Sequence, residues 1–202
     1  MSTKVSYYEN IQEIEKKIWS LLLDAVTNRD SSFRIPIFIC GFQSDFDGRI
    51  VVLRKVDEAN QLIQFHSDIR SNKIRSLKDN KNAAMVFYDK EEKIQLRFKV
   101  ECIINYDNKI TRESWVKTGH MSRKCYLVKD APGTESLIPT SGLKATSGDF
   151  KFTMKESEAG YENFTVIQCK IKSIEWLYLA ARGHRRARID YNKNKNHVWL
   201  VP

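Results

Sequence analysis

The sequence predicts a mainly β protein of the α+β kind, built as one antiparallel barrel with helices packed around it. Three observations carry this expectation. Short apolar runs recur at hairpin spacing through most of the chain. The run Lys93-Ile-Gln-Leu-Arg-Phe-Lys-Val-Glu101 alternates polar and apolar residues without a break. Turn chemistry punctuates the runs, as at Asp47-Gly48, Ala131-Pro-Gly133 and Ile138-Pro-Thr-Ser-Gly142.

The elements follow in order. Residues 7–28 read as an amphipathic helix, because Ile11, Ile14, Ile18, Leu21, Leu22 and Ala25 keep helical spacing with charged residues between them. Trp19 lies beside that stripe and reads as packing. Two β-runs at 34–43 and 49–56 are expected to be joined by a hairpin at Asp45-Phe-Asp47-Gly48. A strand at 61–67 continues the meander, and a short helix at 70–80 carries Ile74 and Leu77 on one side. Strands at 83–88 and 93–106 come next; alternation places Ile94, Leu96, Phe98 and Val100 inward and Gln95, Arg97 and Lys99 on the opposite face. A helix starts near Thr111, where Thr111-Arg-Glu-Ser114 offers a cap and Trp115 packs inward. Residues 129–150 form a long Gly-, Pro-, Ser- and Thr-rich loop. Strands at 163–172, 174–180, 185–190 and 197–201 complete the chain. No internal boundary divides it, so residues 1–202 read as one domain.

Composition narrows the function. A chain of 202 residues, 42% hydrophobic and 29% charged, can bury a sizeable core. No run of about 18 apolar residues is present and the first residues lack a signal-peptide core, so a cytoplasmic protein is the expectation. Cys40, Cys102, Cys125 and Cys169 lie far apart with no Cys-x-x-Cys spacing. They read as free thiols in strands, and no metal is expected. The net charge of +9 is spread along the chain without a basic tract or an aromatic-rich RNA-binding motif, which argues against nucleic acid. The densest cluster, Arg182 to Arg188, holds four arginines and His184; it reads either as an anion-binding edge or as a solvated strand.

One pattern points to a ligand. Arg49-Ile-Val-Val-Leu-Arg54 brackets four apolar residues with two cations, and is followed by Phe65-His66-Ser67-Asp68 and Ser71-Asn72-Lys73. The second segment reads as a strand edge running into a helix start. Exposed backbone N–H groups there, with Ser67, Ser71 and Lys73, favour a phosphate. Gln95 carries donors and an acceptor on one carboxamide, which suits the polar atoms of a ring or sugar-like chain.

Taken in order, Arg49…Arg54, His66-Ser67, Asn72-Lys73, Gln95-Leu96-Arg97, Trp176…Arg182-Gly-His184-Arg185-Arg186 and the closing Trp199-Leu-Val-Pro202 resemble the pyridoxamine 5′-phosphate oxidase-like family. The likeness spans nearly the whole chain and is nearest to the family's uncharacterised FMN-binding branch. It implies a six-stranded split β-barrel with flanking helices, FMN as cofactor, and a homodimer with flavin at the subunit interface. It assigns Arg49 and Lys73, with Ser67, Ser71 and Asn72, to the FMN phosphate and ribityl chain. Val51, Val52 and Leu53 then border the ring, with Arg54 and His66 at its edge. Gln95, Trp176 and Arg186 would come from the partner subunit. Arg54, Arg123, Arg182 and His184 are implied as substrate residues, the last two also as the catalytic pair that positions a small molecule, a phosphorylated pyridoxine-like compound being one candidate, for hydride transfer to FMN.

The chain also departs from the family. Arg54 stands for a lysine, His66 for a tyrosine and Asn72 for an arginine. Around Arg123 the expected tyrosine and serine positions hold Gly119 and Leu127. These changes keep two alternatives in view, a flavin reductase and a non-catalytic flavin- or haem-binding module on the same barrel.

Overall fold

The computed structural model describes residues 7–42, 45–143, 152–192 and 196–202. A 3-10 turn at Tyr7–Glu9 leads into α1 (Ile11–Thr27). Asn10 caps it by accepting the Glu13 amide at 3.1 Å. The predicted stripe is buried: Ile11, Ile14, Ile18, Trp19, Leu22 and Ala25. At the other end Arg34 donates to the carbonyls of Ala25 (3.1 Å) and Val26 (2.7 Å), so a cation meets the negative end of the helix.

Among the described residues nine strands follow, where the resemblance implies six. They are β1 (Ile37–Phe42), β2 (Asp45–Ile50), β3 (Leu53–Asp57), β4 (Leu62–Asp68), β5 (Asn82–Asp89), β6 (Ile94–Tyr106), β7 (Phe164–Tyr178), β8 (Arg185–Asp190) and β9 (His197–Leu200). Every pairing is antiparallel. Seven strands form a strip in the order β2-β1-β5-β6-β7-β4-β3, and β8 and β9 extend it from β7. The two ends of the strip, β2 and β3, are consecutive in sequence with only Val51 and Val52 between them. That link spans about 11 Å at most, so the sheet curls until its ends meet. The barrel is therefore split between β2 and β3, where the Val51 amide bonds Pro36 O at 3.0 Å.

Two local readings of the sequence are corrected. Asp45-Phe-Asp47-Gly48 is not the β1–β2 turn but lies inside β2, with Gly48 opposite Ile39 and Asp47 opposite Cys40. The reversal falls at residues 43–44, outside the described residues. Gly48 needs no left-handed backbone there, and its φ is not among the positive ones. Likewise the two runs at 163–172 and 174–180 are one strand, β7. A register shift opposite Lys99 and Val100 adds Lys172 as an extra residue, which bends the strand without ending it.

The barrel interior holds Phe33, Phe38, Phe65, Phe87, Phe98 and Trp176 among the aliphatic residues of α1 and the sheet. Alternation in β6 holds as read, with Ile94, Leu96, Phe98 and Val100 buried. A second cluster, Trp115, Tyr126, Phe164 and Val166, lies under α3 (Lys109–Lys117). Asn108 caps α3, and Thr111 supplies the third-residue half of the capping box instead of the cap itself. The helix α2 (Asn72–Asp79) follows β4, and short helices α4 (His120–Arg123) and α5 (Met154–Ser157) flank the loop. Of that loop, residues 129–143 are described, without helix or strand, and 144–150 lie outside the described residues. Cys40, Cys102 and Cys169 are buried in strands; Cys125 is exposed in a 3-10 turn at Lys124–Tyr126, not in a strand. No described helix is long and apolar enough to cross a membrane.

Candidate functional site

The start of α2 gathers the residues that the sequence assigns to a phosphate. Lys73 Nζ donates to Ser67 Oγ at 3.0 Å and to Ser71 Oγ at 3.2 Å. The two hydroxyls lie 3.2 Å apart. Ser71 is the N-cap residue, but its hydroxyl does not cap the helix; it donates to Asp68 O at 2.8 Å. The Ile74 amide bonds Ser71 O at 2.9 Å, and those of Asn72 and Lys73 keep no side-chain acceptor among the described residues. Burial, and then the nearby positive charge of Arg49, lower the Lys73 ammonium to about 8. The same two cations act on Cys40, whose thiol burial pushes up. Arg49 itself pairs with Asp47.

Asp68 is the carboxylate nearest this cluster in sequence, and it is committed elsewhere. Arg70 grips it through Nε (3.0 Å) and Nη2 (2.7 Å) and also donates to Val128 O (3.0 Å) and Lys129 O (2.8 Å). Arg70 therefore ties the root of the 129–143 loop to the head of α2, where Gly133 lies against the Asn72 carboxamide. Sequence reasoning missed this residue; its only signal was an Asp-x-Arg spacing too common to notice. Asn72 is exposed at the first helical position.

β4 serves two faces. Ile63 and Phe65 point into the barrel core, and Gln64 and His66 point the other way, as the period of two requires. On that outer face a cavity of about 410 Å³ opens beneath α3, between Val26, Arg54, Gln64, His66, Ser114 and Gln168. His66 meets the Phe164 ring edge-on at 4.8 Å. Burial, and secondarily the Arg54 charge, lower its imidazole to about 3. Arg54 stands at a β-bulge: Leu53 pairs with Phe65 and Lys55 with Gln64, so two residues of β3 face one of β4. Burial lowers the Arg54 guanidinium too, and its Nε is buried with no hydrogen-bond partner among the described residues. Leu53 and Val51 are buried, and Val52 is half-buried.

A neutral His66 has a consequence for stability. Its folded value lies below the unfolded 6.5, so between about 3 and 6.5 the unfolded chain binds the extra proton. The stability is full above that window and falls as the pH drops through it, by up to about 1.4 kcal/mol per pH unit. Urea unfolding at pH 7 and pH 5 should show the wild type losing about 1–2 kcal/mol more than His66→Gln. Equal losses would place a charged imidazole in the folded state.

The remaining sequence-assigned residues are not brought to this cluster within one chain. Ser67 pairs with Thr165 near the start of β7, whereas Gln95 and Arg186 flank Leu177 near its end. Twelve residues of strand separate the two places, a contour of about 40 Å. Gln95 is half-buried on the outer face of β6. Arg182 and His184 are exposed in the β7–β8 turn, whose Gly183 at φ 117° takes a conformation that suits glycine. Arg186 donates to Glu175 through Nε (3.2 Å) and Nη2 (2.5 Å), and Arg97 shares that carboxylate at 2.6 Å.

Two assignments are corrected by burial. Trp176 is fully buried in the barrel core beside Tyr178, so it has no surface that a ligand could reach in this chain. Arg123 is 3% exposed and wholly engaged within the protein. It donates to Trp115 O (2.7 Å) and Thr118 O (3.1 Å), pairs with Glu158, and lies 4.5 Å over the Trp115 ring. It fixes the end of α3 and is not free for a substrate phosphate.

Comparison with known proteins bears on the fold that carries this geometry. Residues 23–105 match the family described as pyridoxamine 5′-phosphate oxidase, FMN-binding domain. The fold is similar to that of a pyridoxamine 5′-phosphate oxidase-related, FMN binding protein from Nostoc punctiforme PCC 73102, with TM-score 0.65 and 13% identity over 98% of this chain and 99% of that one. It is also similar to PhzG from Burkholderia lata 383, solved in complex with tetrahydrophenazine-1-carboxylic acid, with TM-score 0.68 and 13% identity over 100% and 99%. No curated protein matches the sequence.

Proposed function

We propose that this chain, whose residues 23–105 match the pyridoxamine 5′-phosphate oxidase FMN-binding domain and whose fold is similar to that of its split barrels, is a homodimeric FMN-dependent oxidoreductase of that family acting on a small molecule. The observation that carries the proposal is Lys73, half-buried beside Arg49 and held by two hydroxyls at a helix start with no carboxylate bonded to it. Two like charges brought together and partly desolvated are stabilised by an anion. A phosphate there is met by the ammonium and the first α2 amides, by the Arg49 fork in exchange for Asp47, and by the two hydroxyls as they turn from Asp68 O. The donor set fits the FMN phosphate.

In this reading the groove at the barrel's split lies along Val51, Val52 and Leu53, and Arg54 and His66 close its far end. Bound FMN supplies the acceptor for a hydride. The chain supplies orientation and electrostatics. Arg54 offers a positive fork, and His66 stays neutral and offers one donor or one acceptor. Gln95, Arg186 and the exposed Arg182 and His184 act across a dimer interface on the partner's groove. The 40 Å of β7 that separates them from Lys73 supports that arrangement, as do Ile35, Ile37 and Ile50, apolar and exposed beside the split.

The test is an absorbance spectrum of the purified protein after FMN is added and the excess removed on a sizing column. A flavin spectrum that travels at twice the 23.6 kDa chain mass, with about one FMN per chain, is the expected result. A colourless protein would overturn the flavin reading, and a yellow protein eluting as one chain would overturn the shared site.

A further inference from the structure

The cavity beneath α3 contains a charge that the rest of the chain leaves unanswered. Arg54 is set there by a bulge, a device that re-aims a side chain next to a site. Its Nε is buried and lacks a partner, which in a native protein calls for an acceptor from elsewhere. No carboxylate pairs with it among the described salt bridges. The cavity-lining groups beside it are neutral: Gln64 is 5% exposed, His66 is uncharged, and Ser114 and Gln168 add a hydroxyl and a second carboxamide; the further cation whose charge reaches it, Arg34, is bonded to the carbonyls of Ala25 and Val26. Lys55, Glu113 and Lys117 lie exposed at the rim, where water screens them.

We propose that this cavity is a subsite for the carboxylate of a small planar ring compound, with Arg54 as the fork that binds it and Gln64 and Gln168 bordering the ring. This rests on the flavin reading for its chemistry and deepens it by naming the substrate class. One half-buried positive charge matches one negative charge, and a guanidinium pairs with a planar carboxylate through two parallel hydrogen bonds. A phosphate dianion asks for more, and this cavity has no second buried cation to give. Arg123, the residue that the family resemblance assigns to a substrate phosphate, is spent on backbone carbonyls and Glu158. The volume, about 410 Å³, is that of a small-molecule site.

Nicotinate, nicotinamide and pyridoxamine 5′-phosphate are the probes, titrated calorimetrically into the protein with FMN bound and after its removal. Nicotinate is expected to bind at least tenfold tighter than nicotinamide, which has the same shape without the charge, and tighter than the phosphate ester. Arg54→Gln is expected to erase the preference while holding or raising Tm, since it removes a desolvated charge with no partner. In ¹⁵N spectra of the unaltered protein, the Arg54 Nε–H resonance should move on adding nicotinate and stay on adding nicotinamide. Equal affinity for the two pyridines, tighter binding of the phosphate ester, or a preference that survives Arg54→Gln would overturn the proposal. Retained FMN without nicotinate preference sinks the carboxylate site alone. Nicotinate preference in a protein that takes no FMN sinks the flavin reading alone.

Discussion

Replacing Arg49 and Lys73 together by alanine is expected to weaken FMN binding by about 10²–10⁴-fold, enough that the protein leaves a sizing column colourless. Each residue offers a charge-assisted hydrogen bond to the phosphate, worth about 1.5–3 kcal/mol. Two such losses amount to about 3–6 kcal/mol, and each 1.4 kcal/mol is a factor of ten. The double variant should fold, because it relieves a repulsion: burial and Arg49 already press against the Lys73 charge. Lys78→Ala is the control, an exposed lysine on the same helix whose removal should leave retention intact. Fluorescence titration of FMN into both variants reads the difference. Unchanged affinity in the double variant would remove the head of α2 from the cofactor site.

The second large effect is on stability. Arg123→Met keeps the aliphatic bulk but deprives Thr118 O of its side-chain donor, leaves Trp115 O with the Thr118 amide alone, and ends the contact over the Trp115 ring. A buried acceptor left without a partner costs about 1–3 kcal/mol, the lost cation–π contact adds about 1 kcal/mol, and Glu158, exposed, can turn to water. A net loss of about 2–4 kcal/mol is expected. In a chain of this size that lowers Tm by roughly 5–15 °C. FMN retention well below the new Tm should be unaffected. An unchanged Tm combined with weaker substrate binding would return Arg123 to the substrate role that the family resemblance suggests.

The sequence made some of this legible for physical reasons that differ from residue to residue. β6 was readable because the nine residues from Ile94 to Cys102, with one face in the core and one turned away from it, must alternate, and that pattern has no helical equivalent. The α1 stripe was readable for the same reason at the helical period. The hairpin was misread because Asp-Gly marks a turn only when Gly48 takes a left-handed backbone, and cross-strand pairing with Ile39 holds it extended. β7 was cut in two because a bulge places polar residues out of phase, which in sequence looks like a strand end. The phosphate cluster was legible in that Ser67, Ser71 and Lys73 sit within seven positions and the helix start between them fixes their approach. Arg54 and Arg123 were not distinguishable as sequence. Both are arginines near apolar runs; only packing shows that one has a buried Nε without an acceptor and the other has four acceptors. Trp176 failed in the same way, since register and burial decide whether an aromatic on a strand meets a ligand or the core.

The long strand β7 also sets the order in which the chain can assemble. β4 pairs Leu62 with Lys170 and Asp68 with Phe164, so its second edge waits for residues made about a hundred positions later. At a synthesis rate of 5–20 residues per second that delay is about 5–20 s on the ribosome. Through it, β4 and β6 each present an unpaired edge with apolar neighbours, the surface most apt to join another nascent chain. Closure then depends on contacts distant in sequence, which form slowly. A messenger truncated before residue 164 would yield a sheet missing its central strand, and the cell's chaperones would meet the product as an aggregation risk long before any cofactor could reach it.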